Sequence, residues 1–94
     1  TRRPGGKETE TRRELRQMEE LAEKLALPIR YESGEMRGGL CRVGPNWQVI
    51  LNRELPLEER VEVLAESLSQ FDLDAVYVPP RLRRLLDEIR NRQA

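Results

Sequence analysis

The residues nearest to a chemical site in this chain are acidic side chains at helical spacing. Glu62 and Glu66 are four positions apart, which places both carboxylates on one face of a helix, and Asp74 follows in the same acidic stretch. Paired carboxylates can exchange protons or hold a hard cation. Solvated acidic helix faces are far commoner, however, and the chain has no Asp-x-Asp-x-Asp-Gly calcium loop. We therefore predict no metal site and no cofactor.

Histidine is absent from all 94 residues, and this absence limits the chemistry that the chain can perform. Without imidazole there are no histidine ligands for zinc and no histidine base for a nucleophilic triad. The single cysteine, Cys41, would need such a base, so a small buried side chain on a strand is the favoured interpretation. Gly38 and Gly39 fit neither the P-loop nor the dinucleotide-binding motif and predict a tight turn. These residues predict a protein that is not an enzyme.

Charge is balanced overall but distributed unevenly along the chain. Residues 1–16 hold six basic and three acidic groups, residues 54–74 hold one basic and seven acidic groups, and residues 75–94 hold five basic and two acidic groups. The basic ends would suit a nucleic-acid backbone. The arginines of the last segment, however, have carboxylates four positions away and no aromatic stacking platform. Binding of RNA or DNA through terminal arginines such as Arg83 and Arg84 is therefore the alternative function.

Apolar periodicity predicts a single α+β domain over residues 8–94, preceded by a flexible arm over residues 1–7. Apolar residues from Leu15 onward follow a helical spacing, and Pro28 ends the helix that they predict. Three short strands follow, and the last two flank the loop Gly44-Pro45-Asn46, which is typical of a hairpin. The pattern thus predicts an N-terminal helix and then a three-stranded antiparallel meander.

Two C-terminal helices complete the predicted domain and pack over the sheet. The first opens at Leu55-Pro56-Leu57, where proline is tolerated in the first turn, and the second opens at Pro79-Pro80. The segment Phe71–Val78 between them predicts a loop that packs apolar side chains rather than a fourth strand. Trp47, the single tryptophan, follows the hairpin loop and is either an interface anchor or a cap on the core.

The order of these elements and a few short runs carry a resemblance to a known family. A leading helix and the extended Leu27–Tyr31 precede a Gly-Gly-Leu turn, a strand ends at Val49-Ile50-Leu51-Asn52, and a helix contains Leu64-Ala65-Glu66-Ser67-Leu68. This arrangement resembles the minimal zincin-like domain of the ImmA/IrrE metallopeptidases, bacterial proteins that cleave or control transcriptional regulators. The resemblance covers roughly residues 15–75 and rests on element order and apolar pattern.

Members of that family bind zinc through a His-Glu-x-x-His helix, in which the histidines hold the metal and the glutamate activates water. In this chain Glu66 and Gln70 would stand at the ligand positions, and Ser67 at the position of the base. All three differences remove chemistry, so the resemblance implies the shape of a hydrolase without its activity. The simpler alternative is that these are ordinary polar residues of an amphipathic helix.

We therefore predict a non-catalytic protein-interaction or regulatory module that binds a protein partner or a second copy of itself. A lone cysteine that cannot form an internal disulfide favours the cytoplasm, and no apolar run reaches the length of a membrane span. The expected contact surface combines the polar face of the second helix, the loop after it and the start of the third helix. Its predicted residues are Glu62, Glu66, Gln70, Leu73, Asp74, Tyr77, Arg83 and Arg84.

Overall fold

The computed structural model describes the backbone of residues 6–93 and the side chains of residues 9–93. Its elements are helix α1 (Gly6–Lys24), strands β1 (Ile29–Glu32), β2 (Gly38–Val43) and β3 (Asn46–Asn52), and helices α2 (Leu57–Leu68) and α3 (Pro80–Gln93). This order and the α+β class are as predicted, and Phe71–Val78 contains neither helix nor strand. The predicted arm over residues 1–7 lies mostly outside the described residues, and α1 begins at Gly6.

The three strands form a mixed sheet, so the predicted antiparallel meander is wrong. Strand β3 lies in the middle, because the order across the sheet is β1-β3-β2. Strands β2 and β3 pair antiparallel, whereas β1 runs parallel to β3 with Ile29 opposite Val49 and Glu32 opposite Asn52. Strands that are neighbours in the chain usually pair, which is why the apolar pattern alone suggested a meander. The central strand β3 also contributes two fully buried side chains, Val49 and Leu51.

One face of the sheet packs against the helices. Because side chains alternate along a strand, Val49 and Leu51 point to the same side, and Leu40, opposite Val49, packs against the core with them. Cys41 and its partner Gln48 consequently lie on the outer face, where Cys41 is half-buried. The buried cluster between sheet and helices consists of Met18, Leu21, Ala22, Leu27, Val49, Val61, Leu64, Ala65, Leu68, Leu73, Val78, Leu82, Leu86 and Ile89.

The end of α1 sets the direction in which the chain enters β1. The Leu27 amide donates to the Ala22 carbonyl at 2.8 Å, and the Ala26 amide donates to the Glu23 carbonyl at 3.0 Å. This pattern ends a helix with a left-handed residue, here Ala26 with a φ of 55°. Leu27 then turns into the core, and Pro28 disfavours a helical conformation for it. The helix therefore ends before Pro28.

One buried polar side chain ties the loop after β1 to the end of β3. Asn52 Nδ2 donates to the carbonyl of Gly34 at 2.8 Å and to the carbonyl of Met36 at 2.5 Å. Its Oδ1 accepts a hydrogen bond from the Glu54 amide at 2.9 Å. Arg37 directly follows Met36 in the chain, so these hydrogen bonds also determine where Arg37 lies relative to α2.

Candidate functional site

The α2 polar face, formed by Glu62, Glu66 and Gln70, is covered in part by Arg37. Arg37 Nη1 lies 2.9 Å from Glu66 Oε1, and its Nη2 lies 3.3 Å from Glu66 Oε2. The same Nη2 is 3.6 Å from Glu62 Oε1. The hydrogen bonds with Glu66 raise the pKa of Arg37 above its ordinary value. The two carboxylates therefore share one face, as predicted, and there they already have a cationic partner.

The three positions that were compared with the zinc motif point in different directions. Glu66 faces Arg37, whereas Ser67 is buried and its hydroxyl donates to the Val63 carbonyl at 2.9 Å. Gln70 is exposed, and its amide nitrogen lies 3.4 Å from the Glu66 carbonyl. Within residues 9–93, no group of three His, Cys, Asp or Glu side chains is placed to hold a metal ion. These positions do not converge on a common point where a substrate or metal could bind.

Of the predicted contact residues in the loop between α2 and α3, one is buried in the core and the others are exposed. Leu73 is 3% exposed and belongs to the buried cluster, so its prediction as a surface contact is wrong. It is buried because the loop has no helix or strand of its own and is held by packing. Asp74 is exposed, and its Oδ1 lies 3.3 Å from Arg83 Nη2. Tyr77 is 69% exposed, with the Lys24 ammonium 6.0 Å from the centre of its ring.

Three arginines of α3 have partners elsewhere in the fold. Arg83 pairs with Asp74, and Arg81 Nη2 lies 3.4 Å from Glu10 Oε2. Arg90 donates from Nε to the Ser69 carbonyl at 2.9 Å and from Nη2 to the Phe71 carbonyl at 3.0 Å. It therefore satisfies carbonyl groups just beyond the C-terminal end of α2, where a cation is favourable. Arg84 is exposed on the same helix.

A groove at the end of the sheet was missed by the sequence analysis. It has a volume of about 500 Å³ and lies between the turn after α1, the tip of the β2–β3 hairpin and the residue Phe71. We call it the hairpin groove. Its lining residues are Leu25, Ala26, Leu27, Pro28, Val43, Pro45, Asn46, Trp47, Gln48 and Phe71.

The groove leaves part of Trp47 open to solvent. Trp47 precedes Val49 by two residues, so it points to the same side of β3 as the core residues do. Trp47 is nevertheless 42% exposed, whereas Val49 is fully buried. The alternation of β3 is visible in the sequence, but the exposure of Trp47 depends on the tertiary structure.

An arginine stacks on the exposed tryptophan. Arg42 lies opposite Trp47 in the β2–β3 pairing, and its guanidinium carbon is 5.3 Å from the centre of the ring. This distance is within the range of a cation–π contact. One wall of the hairpin groove therefore combines an aromatic ring with a positive charge that faces solvent.

Comparisons with protein-family models, with curated proteins and with solved structures find no match to this chain. In the part of the chain that the structure describes, no helix has both the length and the apolar character needed to cross a membrane. The function has therefore to be inferred from the contacts, burial and charges of these two surfaces.

Proposed function

We propose that this chain is a non-catalytic protein-interaction module and that the hairpin groove is its contact surface. The observation that carries this proposal is Trp47, whose large apolar ring stands half-exposed on the wall of a groove. Tryptophan is among the residues that dominate binding energy at protein interfaces. Covering the exposed part of the ring would contribute about 2 kcal/mol to binding.

The surroundings of Trp47 support a protein partner. Val43, at 55% exposure, is another large apolar residue open to solvent, and it lines the same groove. Phe71 and Leu25 are partly buried and supply further apolar surface beneath them. An apolar centre within a polar surround is the usual composition of a protein contact surface.

The α2 polar face supports the non-catalytic part of the proposal. A catalytic carboxylate needs access to its substrate, but Glu66 forms a two-bond ion pair with Arg37. Ser67, at the position of the base in the zinc motif, is buried and donates to the backbone. We further propose that the chain is a degenerate zincin-like domain in the cytoplasm, on the grounds of element order and its lone cysteine.

Affinity capture from an extract of the source cells tests this proposal. The immobilised proteins are the wild type, Trp47→Ser and the matched control Tyr77→Ser, which removes a more exposed aromatic ring outside the groove. We expect one stoichiometric partner on the wild type and on the control, and its loss on Trp47→Ser. A partner retained by all three proteins would contradict the groove as the contact surface. No partner on the wild type would contradict the interaction module.

A further inference from the structure

We infer that the hairpin groove binds a protein segment in which a large apolar side chain is flanked by carboxylates. This inference rests on the proposed function and names the chemistry of the partner. None of the residues that line the groove is charged, so its interior selects an apolar side chain. The selectivity for acidic flanks comes from the side chains around its rim.

Two cationic side chains contact residues that line the groove. Arg42 stacks on Trp47, and Arg90 donates to the carbonyl of Phe71. Both cationic side chains are exposed. A bound segment whose flank passes Trp47 or Phe71 therefore meets a cation.

The rim cations have no anionic partner within the described part of the chain. Arg42 contacts an aromatic ring, and Arg90 contacts carbonyl groups. By contrast, Arg37, Arg81 and Arg83 already pair with carboxylates. A carboxylate on a partner would therefore meet a cation that is not yet neutralised, which is the condition for a favourable charge contact.

The preference is set by the cation at Trp47. Asp72, which follows Phe71, is exposed and keeps its negative charge, although its Oδ1 accepts a hydrogen bond from the Asp74 amide at 3.0 Å. The hairpin segment over residues 38–53, which contains Arg42 and Trp47, has no acidic residue. A basic flank next to Trp47 would therefore be repelled by Arg42. The rim thus favours acidic flanks over basic ones.

Four short blocked peptides test the inference directly. Three carry the same Leu-Phe pair flanked by Glu, by Gln or by Lys, and the fourth keeps the Glu flanks but has Ser in place of both apolar residues. Because Trp47 is the single tryptophan, its fluorescence reports binding at the groove. We expect the Glu-flanked peptide to bind about tenfold more tightly than the Lys-flanked one, with a smaller difference in about 0.5 M salt. The Ser peptide should bind least tightly.

Charge reversal at the rim provides the matched variants. Arg42→Glu should invert the preference, so that the Lys-flanked peptide binds more tightly than the Glu-flanked one. Arg13→Glu makes the same change of charge on an exposed residue of α1 that does not line the groove, and should leave the preference as it is. Circular dichroism of both variants establishes that they are folded. An unchanged preference in Arg42→Glu would overturn the inference.

The remaining outcomes separate this inference from the proposed function. Equal binding of the Glu, Gln and Lys peptides would overturn the acidic preference and leave the groove as a contact surface. Binding that does not require the Leu-Phe pair would overturn it as well, since the contact would then be with charge alone. Concentration-dependent self-association that is lost in Trp47→Ser would identify a second copy as the occupant. Absence of binding by all four peptides would overturn the inference, while partner capture remains the test of the function.

Discussion

The α2 polar face and the hairpin groove present opposite kinds of surface. On α2, Glu62 and Glu66 have a cationic partner in Arg37, at distances between 2.9 and 3.6 Å. At the groove, the ring of Trp47 and the cation that stacks on it both face solvent. The carboxylates of α2 thus have a cationic partner within the fold, whereas the apolar ring at the groove is left partly exposed to solvent. In this molecule a candidate site is better recognised by the partners that its residues lack than by their residue types.

The largest effect is expected from the residue that places Arg37 over α2. Asn52→Ala removes the hydrogen bonds that this buried side chain forms with the backbone of Gly34, Met36 and Glu54. We expect the free energy of unfolding to fall by about 2–3 kcal/mol in urea denaturation. Asn91→Ala, on an exposed residue of α3, is the control and should change it by less than about 0.5 kcal/mol. Equal effects of the two substitutions would contradict the role of Asn52 in connecting the loop after β1 to the end of β3.

Substitution of Trp47 should affect both binding and stability. Trp47→Ser should weaken binding of the captured partner about a hundredfold, because a central aromatic contact is lost. The free energy of unfolding should fall by about 2–3 kcal/mol, since more than half of the residue is already buried in the fold. Calorimetric titration and urea denaturation measure the two quantities. A large loss of stability with unchanged binding would show that Trp47 acts only as a core residue. It would contradict the difference between the hairpin groove and the α2 polar face.

Arg90 connects the two regions, because it holds carbonyl groups between the end of α2 and the groove. Arg90→Ala should lower the free energy of unfolding by about 1–2 kcal/mol through loss of its hydrogen bonds to the Ser69 and Phe71 carbonyls. Arg84→Ala, on the same helix, should change it by less than about 0.5 kcal/mol. Thermal and urea unfolding give the comparison. A larger effect at Arg84 than at Arg90 would contradict the capping role.

A smaller effect that depends on pH is expected where β1 contacts α1. Tyr31 donates a hydrogen bond to Glu19, and burial raises the pKa of its hydroxyl above the ordinary value of 10.0. The folded state therefore holds this proton more tightly than the unfolded chain does. The resulting stability is present below pH 10 and is lost as the pH rises above that value. Tyr31→Phe should lower stability by about 1 kcal/mol at neutral pH. It should also lessen the alkaline loss in urea denaturation; an identical pH profile would contradict the assignment.

The smallest effect is expected at the ion pair that covers α2. Arg37 is nearly half-exposed, so Arg37→Ala should change the free energy of unfolding by about 0–1 kcal/mol, and less at high salt. Binding of the partner at the hairpin groove should be unchanged. Binding is measured by the same titration as for Trp47→Ser. Loss of binding in Arg37→Ala would indicate that the contact surface is the α2 polar face and not the hairpin groove.

Much of the secondary structure could be predicted from local pattern. The spacing of Leu15, Met18 and Ala22 predicted α1, and the paired prolines predicted the start of α3 at Pro80. These signals are local, because a helix repeats its apolar positions within the same segment. The placement of Leu73 in the core was not predicted, since its burial depends on where the loop packs rather than on its neighbours in the chain.

The element order, the lack of histidine chemistry and the shared face of Glu62 and Glu66 all follow from local features of the sequence. The position of β3 between β1 and β2 does not, since strand order depends on contacts between distant segments. The tertiary structure also brought Arg37 to Glu66, 29 positions away in the chain. The exposure of Trp47 likewise depends on distant segments, because the turn after α1 and Phe71 line the groove next to it and their positions are set by the packing of the domain.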